Sequence, residues 1–280
     1  MSTYLFIDGG YLREKYSTCM LRYYQQDLEL AFAKVASAAA SLARADTLQK
    51  VFYYDCVDER TKPGESEQEF KSRSTAQGEL FNKIRDLPGW HVREGRLVGA
   101  RKDNRRQKRV DVLLTVDMLS HAFNKNMQTA VLIAGDDDFT PLVDELLRHG
   151  SYVIVLSDRR SGSQHLGHTA DASRHMDFPF YWSLAPSDFQ KEHALPDDAQ
   201  TTGIALGRIV KFGTNEHGQS VKVFENPNGF SFGHYTPGVN SRFNSIVRSA
   251  ELRVLEEYLH DFHKDLLPPE WHQPNHAGPD

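Results

Sequence analysis

Apolar residues fall into short runs separated by longer stretches of helical spacing. Tyr4–Ile7, Val51–Tyr54, Ala130–Ala134 and Tyr152–Leu156 are continuous apolar runs. Their brevity and aromatic or β-branched content predict strands buried on both faces. Between them, Leu28–Leu42 places Leu28, Phe32, Val35 and Leu42 at helical spacing, and Ser66–Asp86 reads as a helix stopped before Pro88-Gly89. Val110–Phe123 reads as an amphipathic helix, Phe139–His149 as a helix ended by Gly150, and Trp90–Val98 as one more strand. Strands alternating with helices over residues 1–183 predict an α/β fold on a parallel sheet.

The pattern changes after residue 185. Pro186 to Thr202 is polar and suits a linker. Ile204–Phe212, Ser220–Phe224 and Gly229–Tyr235 resemble short strands broken by Gly, Asn and Pro, and Arg242–His263 has helical spacing. The expected organisation is a domain over 1–185, a linker over 186–202, a small β-rich region with one helix over 203–263, and a tail over 264–280. So small a sheet buries little core, so the helix is expected to need cover from the first domain or from a second copy in a homo-oligomer. Phe230, Phe232, His234 and Tyr235 alternate in a way that suits base stacking, but core packing is the commoner use of such a pattern.

Composition narrows the class. A chain of 280 residues with 39% hydrophobic and 25% charged residues is globular rather than disordered. No apolar run approaches the roughly 18 residues of a membrane helix. The opening MSTYLFIDGG has neither a basic n-region nor an apolar h-region, so a soluble cytoplasmic protein is expected. Cys19 and Cys56 are too few for a disulfide framework or a metal quartet, and are expected as buried free thiols. The net charge of −5 argues against a histone-like binder, yet Arg101–Arg109 reads RKDNRRQKR, a local basic footprint.

In parallel α/β sheets, ligands bind beyond the carboxyl ends of the strands. Here those positions are acidic: Asp8 ends the first strand, and Ala130–Ala134 runs into Gly135-Asp136-Asp137-Asp138. Asp111 lies in the first turn of the helix after the basic run. One such Asp is usually a turn former or helix cap. Several converging on one edge repel one another and call for a cation, and hard oxygen ligands suit Mg²⁺ or Mn²⁺. His165, His168 and His175 have a spacing that fits no usual zinc site.

The segments FIDGG, KRVDVLLTVDML and LIAGDDDFTPLVDELLRHGSYVIVL together resemble the NYN branch of the PIN-like nucleases, including bacterial LabA-like proteins, over residues 4 to about 182. The resemblance implies a PIN-like sheet and a metal-dependent ribonuclease site in which Asp8, Asp111, Asp136 and Asp138 hold one or two divalent ions. It also matches Asp117 to a frequent family acid, but Asp117 lies about 240° around the helix from Asp111 and is expected to support rather than ligate. Two departures stand out. Tyr11 occupies the position where the family usually has Asn, and Asp137 adds charge where the family is small or neutral. A haloacid-type phosphohydrolase is disfavoured because the D-x-D general acid would fall on Gly10. A regulatory RNA-binding module with a degenerate site is the alternative. Phosphates approaching these carboxylates need compensating cations, so Arg101, Lys102, Arg105, Arg106, Lys108 and Arg109, with Arg93 and Arg96 upstream, are the expected nucleic-acid contacts.

Overall fold

The structure is a computed structural model. It describes residues 2–57, 61, 63–95, 108–198, 201–202, 207–235 and 244–274, with backbone alone at 108–109, 201–202 and 244–246. Two compact units emerge, one of Met1–Thr18 with Glu29–Ala185, the other of Cys19–Leu28 with Pro186–Asp280.

The first unit runs β1 (Thr3–Asp8), α1 (Gly9–Tyr24, whose last turns belong to the second unit), α2 (Phe32–Ala43), β2 (Lys50–Asp55), α3 (Glu67–Arg85) and β3 (Trp90–Glu94). It continues with α4 (Lys108–Phe123), β4 (Thr129–Ile133), a 3-10 turn (Asp137–Phe139), α5 (Thr140–Arg148), β5 (Tyr152–Asp158), α6 (Gln164–Thr169), β6 (Ala172–Met176) and α7 (Phe178–Ser183). The strands form one parallel sheet in the order β3-β2-β1-β4-β5-β6. The α/β class with a parallel sheet is as the strand pattern predicts.

Alternation along β1 sends Tyr4 and Phe6 to one face, where they pack with Leu114 and Met118 of α4 and Leu142, Val143 and Leu146 of α5. Leu5 and Ile7, also fully buried, face the other side, which α2 covers over β5 and β6. Each such burial contributes about 1.5–3 kcal/mol. Asp8 continues the Tyr4–Phe6 alternation and so points to the α4 side at the sheet's carboxyl edge.

Helix α1 is absent from the periodicity reading, which treats Gly9-Gly10 as a strand stop. The helix starts there because the Asp8 carboxylate accepts the Tyr11 amide proton at 3.0 Å, an N-cap, and Leu12, Tyr16, Met20 and Tyr23 form its buried stripe. Gly9 is required on steric grounds, since a Cβ there would overlap the buried ring of Tyr53.

In the second unit, α8 (Ser187–Glu192) lies in the stretch read as a linker. β7 (Thr201–Thr202), β8 (Arg208–Thr214), β9 (Ser220–Asn226), β10 (Gly229–Tyr235) and β11 (Asn244–Ser249) form an antiparallel sheet in the order β7-β11-β10-β9-β8. The helix expected over Arg242–His263 is two elements, β11 and then α9 (Leu252–Phe262). Ladder pairing of Val247 with Phe232 outweighs helical spacing there, because both side chains are fully buried. Phe232 is therefore core and no stacking surface. The apolar face of α9 (Val254, Leu255, Tyr258, Leu259) is buried and packs on β10 and β11, so its own sheet covers it. At the other end of α1, Arg22 pairs with Glu257 (2.6 Å) and Asp261 (2.8 Å), and the Tyr23 hydroxyl donates to Asp261 (2.6 Å). The region read as a tail returns to the sheet, where His272 and Phe212 exchange backbone hydrogen bonds.

Candidate active site

Strand order reverses between β1 and β4, and the crevice beyond their carboxyl ends is where such sheets bind ligands. Asp8 ends β1 and Asp111 stands in the first turn of α4. Asp136 caps the 3-10 turn after β4 by accepting the Asp138 amide proton at 3.0 Å. Capping explains part of what Asp8 and Asp136 do, but does not explain their company.

The Asp8 carboxyl is buried, which pushes it up to about 6; Asp55 and Asp136 push the same way, against hydrogen bonds from the Tyr11 and Gly10 amides. Asp111 is likewise pushed up to about 6, first by burial and then by Asp8, Asp136 and Asp138. The four acids therefore share one electrostatic field. Among the described residues none of them has a basic side chain in ion-pair contact. Nor do three His, Cys, Asp or Glu side chains among the described residues stand close enough to form a ready cage for a metal ion.

Neighbouring acids behave differently. Asp55, which ends β2 beside Asp8, was not among the expected site residues; its signal was only its place at a strand end. It is buried and fully engaged, accepting from Arg13 (Nη2, 2.7 Å), the Tyr53 hydroxyl (2.8 Å) and the Cys56 amide (2.8 Å). Asp117 lies away from the four acids, as its helical angle requires. It accepts both Arg93 nitrogens (2.7 and 2.9 Å) and the Tyr54 hydroxyl (3.1 Å). Arg93, expected as a free cation, is held in an ion pair with Asp117.

Asp137 is engaged by partners of its own: it accepts from Ser163 Oγ (2.6 Å), Thr140 Oγ1 (3.2 Å) and His165 Nδ1 (3.3 Å). The Ser163 hydrogen bond, chiefly, holds its carboxyl below the usual range. Tyr11 supplies no amide side chain. Its hydroxyl accepts the Asp158 amide proton at 2.7 Å, and its ring lies so close to Gly135 that any Cβ there would overlap it. Tyr11 thus spans the ends of β1, β4 and β5. Arg96, Arg101, Lys102, Arg105 and Arg106 lie outside the described residues, and Lys108 and Arg109 open α4. Cys19 and Cys56 are free thiols, half-buried rather than buried. Among the described residues no helix is long and apolar enough to cross a membrane.

A parallel α/β sheet with carboxylates at its switch point belongs to the class of open α/β folds that bind ligands beyond the carboxyl ends of their strands. The chain belongs to the NYN domain family, whose model matches residues 2–177, and so to a nuclease superfamily. A crystal structure of a protein of unknown function from Vibrio parahaemolyticus is similar at 18% identity and a TM-score of 0.46, covering 63% of this chain and 93% of its own. Comparison with curated proteins returned no match.

Proposed function

We propose that this protein is a divalent-metal-dependent ribonuclease that hydrolyses phosphodiester bonds, with Asp8, Asp111, Asp136 and Asp138 as the metal ligands. The observation that carries the reading is the shared field of these four acids, which among the described residues has no basic side chain in ion-pair contact, with Asp8 and Asp111 raised to about 6. Such an arrangement costs stability unless a cation offsets it. The donor set fits Mg²⁺ or Mn²⁺, being all carboxylate oxygen. When bound, such an ion lowers the pKa of its water and offsets charge on the phosphate. Tyr11 and Arg13 hold the geometry: the Tyr11 amide fixes Asp8, and Arg13 pairs with Asp55. Arg101, Lys102, Arg105, Arg106, Lys108 and Arg109 would bring RNA phosphates to this edge.

Incubating the full chain with end-labelled RNA and DNA in Mn²⁺, Mg²⁺ or EDTA tests the reading. Cleavage of RNA is expected with either metal, none in EDTA, and none for Asp136→Asn with the fold intact. Replacing Arg105 and Arg106 by Ala should flatten the salt dependence of RNA binding by about one slope unit per lost phosphate contact. RNA shifted in gels but never cut, in either metal, would overturn the enzyme reading in favour of an RNA-binding module.

A further inference from the structure

Asp137 stands in the middle of the site loop, between Asp136 and Asp138, and its carboxylate is engaged by Ser163 and Thr140. Its carboxylate also meets His165, the second residue of α6, at 3.3 Å from Nδ1. A carboxylate only accepts, so Nδ1 carries the proton in this contact, and Nε2 on the opposite side of the ring is left to exchange protons with the surroundings. Among the described residues nothing engages Nε2, and the His165 side chain is 70% exposed. The imidazole is not loosely placed. Ser163 donates to Asp137 from Oγ at 2.6 Å, accepts the Leu166 amide proton at 3.1 Å as the cap of α6, and donates its own amide to the Gly135 carbonyl at 3.0 Å. Gly135 leads directly into Asp136. The loop that carries two of the four acids is thus fastened to a histidine whose tautomer is set.

Hydrolysis of a phosphodiester between two sugars expels an alkoxide, which needs a proton as it leaves. The four carboxylates are acceptors and stand ready for a cation; none supplies that proton once ionised. We propose that His165, oriented by Asp137, is the general acid that protonates the leaving sugar oxygen. The inference rests on the nuclease reading above. In the step, the oxygen of the attacking water bonds to phosphorus while the bond from phosphorus to the leaving oxygen breaks. The electron pair of that bond goes to the leaving oxygen, which takes the Nε2 proton of the imidazolium. The proton lost by the water passes to solvent, and solvent reprotonates the neutral imidazole. One water is consumed, and one phosphate monoester and one hydroxyl are formed. The carboxylate at position 137 and the histidine at position 165 thereby make one device, which gives the added charge a purpose.

The test compares two substrates on the full chain in Mn²⁺: an RNA oligonucleotide, whose leaving alkoxide needs the acid, and bis(4-nitrophenyl) phosphate, whose phenolate leaves without one. His165→Gln should lower kcat on RNA by about 100-fold and change kcat on the aryl ester by less than about threefold. Asp137→Asn, which misorients the ring, should fall between, at about tenfold on RNA alone. Equal losses on both substrates would mark the pair as a mere brace of the loop and overturn the proposal, as would no loss on either. A wild-type chain that cuts both substrates while the variants fail this pattern leaves the nuclease reading standing. A wild-type chain inactive on both in Mn²⁺ and in Mg²⁺ overturns the two together.

Discussion

Asp8 gives the sharpest stability prediction. Raising a buried carboxyl from 3.8 to about 6 costs its charged form about 3 kcal/mol relative to the unfolded chain. The sign follows from proton binding. Between pH 4 and 6 the folded state holds the Asp8 proton more tightly than the unfolded state, so stability falls as pH rises through this window and the full cost is present above it. Asn at position 8 removes the charge and still caps α1 by accepting the Tyr11 amide proton. Asp8→Asn should therefore stabilise the metal-free protein by up to about 3 kcal/mol at pH 8, a rise in Tm of roughly 5–10 °C for a unit of this size. Below pH 4 the gain should vanish, because the wild-type carboxyl is then neutral in both states. Thermal unfolding followed by circular dichroism in EDTA, at pH 8 and pH 3.5, measures both. With millimolar Mn²⁺ at pH 8 the order should invert, since only the wild-type chain keeps all four ligands. A variant no more stable than wild type at pH 8, or equally stabilised at both pH values, would show that burial and neighbouring acids put no cost on the Asp8 carboxylate.

Two further outcomes follow from contacts around the site. Asp117→Ala leaves the buried Tyr54 hydroxyl and the Arg93 guanidinium without their acceptor, and should cost about 1–3 kcal/mol in urea unfolding while leaving Mn²⁺ affinity by calorimetry within twofold. A tenfold weaker Mn²⁺ affinity would instead make Asp117 a ligand. Gly135→Ala forces a methyl into the Tyr11 ring, and should cost about 1–3 kcal/mol; the double variant Gly135→Ala with Tyr11→Ala should recover part of this, which a clash elsewhere would not.

Much of this protein is written in local sequence. The four apolar runs identify the inner strands because parallel strands covered on both faces have no polar side to show. Asp8, Asp111 and the Asp136–Asp138 run are legible because each sits one or two residues beyond an apolar run or at a helix start, and the parallel-sheet rule assigns those positions to one edge. Helical angle alone separates Asp117 from Asp111. Other features depend on partners distant along the chain. Helix α1 begins at two glycines because Asp8 caps it and Tyr53 leaves no room for a Cβ, neither of which a periodicity can register. Ile246–Arg248 has helical spacing yet pairs as a strand, since Val247 is buried opposite Phe232. Arg93 reads as a free cation until Asp117 is placed beside it, and nothing local marks Asp55 until Arg13, 42 positions away, pairs with it. Asp137 and His165 are 28 residues apart, one in the 3-10 turn after β4 and the other in α6. Their meeting is set by the hydrogen bond that fastens Ser163 to Gly135, and only folding brings those two backbones together.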